Sequence, residues 1–105
     1  MKSKTEIRIP KKVRIGQLVC PITVAETSAD VYGRFNRATQ DIIINQDITG
    51  EDLLRLTLIH EAIHAMESNN TSIDTISEEQ IDNLALGVYS LIKDNKKLVE
   101  WIQNV

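Results

Sequence analysis

Apolar and polar positions alternate with two different periods along the chain, and the change falls near residue 46. Val13 to Val24 (VRIGQLVCPITV) is rich in β-branched residues and interrupted by Gly16 and Pro21, which predicts one strand with a bulge or break in it. VYGRFN (31–36) and DIIIN (41–45) flank the polar RATQ, the pattern of two antiparallel strands joined by a four-residue loop. The first half therefore reads as a small antiparallel β-meander.

Beyond Asn45 the spacing becomes helical. Thr49, with Asp52 three residues on, is a candidate N-cap, and LLRLTLIHEAIHAM then carries apolar residues on most of its sides, the mark of a central buried helix. The polar string SNNTS ends it, with Asn69 or Asn70 suited to a left-handed cap. Ser77 and Gln80 form a second capping box. Ile81, Leu84, Ala85, Val88, Leu91 and Ile92 then repeat at helical intervals. Asp94 and Asn95 interrupt that helix, and LVEWIQNV predicts a short terminal helix packing Leu98, Trp101 and Ile102 onto the core.

Composition adds limits to this picture. At 105 residues, with 42% hydrophobic and 26% charged residues, the chain matches one soluble α+β domain spanning residues 1–105. Its net charge of -3 does not favour nucleic acid or an anionic membrane. The basic cluster Lys2, Lys4, Arg8, Lys11, Lys12 and Arg14 is mixed with Glu6 and lacks aromatic residues, so it reads as a solvated strand edge. A single cysteine, Cys20, allows no intrachain disulfide and suits a reducing cytoplasm. The N-terminal stretch lacks the apolar run of a signal peptide, and no segment is apolar enough to span a bilayer.

The candidate chemistry lies in the buried helix. His60 and His64 are the only histidines, and one turn of helix separates them, so both imidazoles can address one cation. Glu61 lies between them in His60-Glu61-Ala62-Ile63-His64, the H-E-x-x-H pattern in which the glutamate is the catalytic base rather than a ligand. Zinc suits two imidazoles and a carboxylate and needs a third protein ligand. With no third histidine, the candidates are Glu78, Glu79, Asp74 and Asp82. At about 100° per residue, Glu78 falls at the edge of the apolar stripe and Glu79 on its far side, which favours Glu78 and keeps Glu79 as the alternative. Asp82, one turn after Glu78, is placed to bond the second nitrogen of a ligand histidine. Tyr89 lies too far along the helix from Glu78 to serve the same centre, and Tyr32 is a candidate oxyanion donor that the pattern does not place.

These motifs, His60-Glu61-Ala62-Ile63-His64 and the helix opening Glu78-Glu79-Gln80-Ile81-Asp82-Asn83-Leu84-Ala85, resemble the ImmA/IrrE-type metallopeptidases, especially the short versions of phages and prophages. The resemblance covers about residues 31 to 92, and the chain departs from the pattern in having no aromatic residue before Ala85. It implies a minimal zincin-like fold, with Glu78 as third zinc ligand beside His60 and His64. It also implies cytoplasmic peptide-bond hydrolysis of a phage or host protein, with a transcriptional repressor among the possible substrates. A zincin-fold module that docks a regulatory protein without cleaving it is the alternative expectation.

Overall fold

A computed structural model describes residues 9–69 and 76–104, which form a four-stranded mixed sheet and three helices, an α+β arrangement. In chain order these are β1 (Lys12–Ile15), β2 (Leu18–Ala25), β3 (Gly33–Asn36), β4 (Asp41–Asn45), α1 (Glu51–Asn69), α2 (Glu78–Asp94) and α3 (Lys96–Gln103).

The interrupted strand expected over 13–24 is instead two strands. Gly16 has φ 60°, a value that costs glycine little, and the chain reverses there so that Ile15 pairs with Leu18. The antiparallel meander is also corrected. The sheet order is β1-β2-β4-β3, and β2 runs parallel to β4, with Ile22 opposite Ile42 and Val24 opposite Ile44. Only the β1–β2 and β3–β4 pairs are antiparallel. DIIIN is the most apolar strand segment and takes an inner position, bonded on both edges, with Ile42 and Ile44 wholly buried. β3 is left at the edge. The four-residue loop between β3 and β4 matches expectation, with the Asn36 side chain accepting hydrogen bonds from the amides of Ala38 and Thr39.

α1 lies between the sheet and α2, which explains its apolar residues on most sides. Leu54 and Ala65 pack against Cys20, Ile42, Ile44 and Ile48 of the sheet side. Ile63 turns to Ile81 and Ala85 of α2. Full burial of side chains such as Leu54 and Ile81 stabilises the fold by roughly 1.5–3 kcal/mol each. Burial also pushes the Cys20 thiol above its ordinary pKa, in keeping with an inert packing residue.

α1 begins at Glu51, so Gly50 rather than Thr49 immediately precedes it, and the carbonyl of Gly50 accepts the amide of Leu54. Of its two candidate C-terminal caps, Asn69 is the last helical residue and Asn70 lies outside the described residues, as do Lys2, Lys4, Arg8 and Asp74. α2 opens at the expected capping box: Ser77 Oγ accepts the Gln80 amide at 3.1 Å, and Gln80 Oε1 accepts the Ser77 amide at 3.0 Å.

The last two helices are only partly covered. On α2 the buried residues are Ile81, Ala85 and Tyr89, while Leu84, Leu91 and Ile92 stay about half exposed, because α2 meets α1 along one line only. α3 turns no buried residue inward: Trp101 is 76% exposed and Ile102 55%. It is held chiefly by α2, so the expected return of Leu98, Trp101 and Ile102 to the core does not occur. No described helix is long and apolar enough to cross a membrane.

Candidate metal centre

His60 and His64 sit one turn apart on the face of α1 that meets the start of α2, with ring centroids 5.0 Å apart. The capping box fixes Glu78 as the first residue of α2 and so delivers its carboxylate to both rings. Glu78 Oε2 lies 3.0 Å from His60 Nε2, and Glu78 Oε1 lies 2.8 Å from His64 Nε2. Asp82 follows one turn later and places Oδ1 2.8 Å from His60 Nδ1. Glu79, the alternative ligand, is exposed and stands outside the cluster.

His60 thus has a carboxylate oxygen at each ring nitrogen. If its Nδ1–H donates to Asp82, the neutral ring presents the Nε2 lone pair to Glu78 Oε2, and two acceptors that face each other call for a cation between them. One donor atom from each of His60, His64 and Glu78 lies within 4.8 Å of the others. The Glu78 oxygens, at 3.0 and 2.8 Å from the two ring nitrogens, are already as close to them as ligands of one ion stand to each other. Two imidazoles and one carboxylate form a donor set that zinc accepts, and the residues fit the ion.

Glu61 projects from the opposite flank of the histidine pair, toward β3. It is only 6% exposed, and its Oε2 is 4.0 Å from His60 Nε2. Burial raises its pKa above the ordinary carboxylate value, against the attraction of His60 and His64; Glu78 adds to the rise, and the amide of Phe35 opposes it. A carboxyl raised in this way is better matched to proton transfer near neutrality.

Gly33, at the start of β3, is what lets Glu61 come so close. A Cβ there would meet Thr57 Cγ2 at 2.8 Å, Glu61 Cγ at 3.2 Å and the carbonyl of Ile43 at 3.2 Å. Thr57 and Glu61, four residues apart, form the face of α1 that β3 crosses. The sequence reading passed over Gly33, although a glycine inside a strand signals close approach of another chain segment. It also passed over Glu67, whose buried side chain is 6% exposed and bonded to two other segments.

A cleft of about 630 Å3 opens beside His60 and Glu61, with Leu53, Leu56 and Leu86 on its walls and Tyr32 at its rim. Tyr32 is half exposed. A smaller cleft of about 360 Å3 lies on the other side of the same pair and reaches Arg37 and His64. Tyr89, set aside from the centre on grounds of distance, donates its hydroxyl proton to Asp52 and ties the two long helices together. No family model, curated protein or solved structure matches the chain.

Proposed function

We propose that this chain is a zinc-dependent peptidase of minimal zincin type, similar in its site to the ImmA/IrrE metallopeptidases, acting on a peptide segment of a phage or host cytoplasmic protein. The observation that carries the reading is the convergence of His60, His64 and Glu78 on one point, with the buried Glu61 carboxylate beside it. A helix carrying two histidines for structural reasons alone has no need of a carboxylate on both rings and a second, desolvated carboxylate next to them.

Zinc bound by these residues supplies a Lewis acid that activates water and polarises a carbonyl. The protein's own groups do the rest. His60 and His64 present Nε2, and Asp82 fixes the ring of His60 from behind. Glu61, buried beside His60, takes a proton from the attacking water and passes it to the leaving amine.

β3 supplies a docking edge. The carbonyl of Tyr32 accepts the amide of Asn45, so Tyr32 bonds inward to β4, and by strand alternation the backbone groups of Gly33 turn to the open edge. An extended substrate can add to the sheet there. β4 is closed to this role, with β2 on one side and β3 on the other. The apolar cleft of Leu53, Leu56 and Leu86 receives a side chain next to the cleaved bond. A repressor as substrate rests on the resemblance alone.

The test is Glu61→Gln in zinc-loaded protein, assayed against a peptide library and candidate repressors. Zinc stays bound and cleavage falls at least ~100-fold, the scale of a lost general base. Undiminished cleavage removes Glu61 from the role of base, and a zinc-loaded wild type that cleaves nothing favours the docking module instead.

A further inference from the structure

Glu67 lies three residues beyond His64 on α1, and its side chain is 94% covered, far more than an unpartnered carboxylate tolerates. Each of its oxygens is used. Oε2 accepts the backbone amide of Ile76 at 2.6 Å, and Oε1 lies 3.3 Å from Arg37 Nη2. His64 Nδ1 is 3.8 Å from the same Oε1, beyond a direct hydrogen bond but close enough for the carboxylate to favour an N–H on that nitrogen.

These contacts join three pieces of chain around the metal centre. Arg37 is the residue directly after β3, the strand that faces Glu61. Ile76 stands two residues before Glu78 and packs on the Ile63, Ile81 and Ala85 cluster. His64 is itself a candidate ligand.

We propose that Glu67 is a positioning residue of the metal centre, holding the entry to α2 so that Glu78 meets both histidines, and orienting His64 through its second ring nitrogen. The proposal rests on the metal-site reading above. Its physical basis is twofold. The bond to Ile76 anchors the backbone next to Glu78, and that ligand, on an exposed first turn, otherwise depends on the capping box for its place. The carboxylate beside Nδ1 favours the tautomer that keeps a proton there and leaves Nε2 free for a cation, the arrangement that Asp82 provides for His60.

Each histidine thus has an acidic group near its rear nitrogen, Asp82 of α2 within hydrogen-bond distance of His60 and Glu67 of α1 at 3.8 Å from His64.

The experiment compares wild type, Glu67→Gln, Glu67→Ala and Arg37→Gln for zinc affinity by chelator competition and for the visible absorption of the cobalt-substituted protein, with circular dichroism as the check on folding. Glu67→Gln keeps an acceptor for the Ile76 amide but lacks the charge, so it loses roughly 10-fold in zinc affinity while holding a cobalt spectrum close to wild type. Glu67→Ala loses roughly 100-fold and shows a weaker cobalt band, as expected when Glu78 no longer closes the site. Arg37→Gln changes affinity by less than about 3-fold, because the exposed end of that ion pair carries little of the effect. Folded Glu67→Gln and Glu67→Ala proteins that match wild type in affinity and spectrum overturn the proposal alone. Should Glu67→Ala fail to fold, Glu67→Gln decides by itself: wild-type zinc affinity overturns the proposal, and a loss near 10-fold with a retained spectrum supports it. A wild-type chain that takes up neither cobalt nor zinc overturns the metal-site reading and this proposal with it.

Discussion

Gly33 sits where β3 crosses α1, with no room for even one methyl group between Thr57 and Glu61. Gly33→Ala therefore displaces the Glu61 side chain or the edge of the strand. The expected outcome is a fall in peptide hydrolysis of about 10-fold or more, with zinc content unchanged, since geometry at the base is disturbed and the ligands are not. Steady-state kinetics and metal analysis of the purified variant check it. At this scale the sequence was most legible for groups whose chemistry is local. His60, Glu61 and His64 announce themselves by spacing on one helix, and helical angles placed Glu78 and Asp82 on the side that meets the rings. Gly33 and Glu67 were missed because their roles depend on what another segment brings to them, Thr57 in one case and the Ile76 amide in the other.

Two helices carry the centre, and their mutual placement is held at both ends. Near His60 and His64, the capping box starts α2 at Glu78. About three turns along α2, Asp52 at the start of α1 accepts a hydrogen bond from Tyr89 and faces Lys93 at 3.3 Å. The Tyr89 hydrogen bond first, then Lys93, hold the Asp52 carboxyl below its ordinary pKa. A carboxyl lowered in the folded state stabilises the fold above its unfolded pKa, and that stability is lost as the pH falls through the folded value. Asp52→Asn is thus expected to lower the melting temperature slightly at neutral pH, and the two proteins should converge in acid; thermal melts across a pH series read this directly. The helices themselves were legible, down to the break at Asn95, because capping residues and the 3.6-residue period are written locally. The strand order was not. An alternating pattern states which face of a strand is buried but not which neighbour it bonds, and the parallel β2–β4 pair joins residues about 20 positions apart.

Among the described residues, one core lies between the sheet and α1, a second lies between α1 and α2, and His60, His64 and Glu78 bridge the open side of the second. α3 extends from this body with its apolar residues exposed, although its amphipathic pattern suggested an inward face. Periodicity shows that a helix has an apolar side; whether another element arrives to cover that side is decided by the rest of the chain. Trp101→Ala should accordingly change unfolding free energy by no more than about 0.5 kcal/mol, as denaturant titration would show, and a loss several times larger would place the indole in a core after all.

A zinc centre built by α1 and α2 from His60, His64 and Glu78 is open to zinc titration of the wild type beside Glu78→Ala and Glu79→Ala. One tightly bound zinc per chain is expected in wild type and in Glu79→Ala, with affinity reduced by more than about 100-fold in Glu78→Ala. Equal zinc binding by wild type and Glu78→Ala, or no tight binding by any of the three, would contradict it.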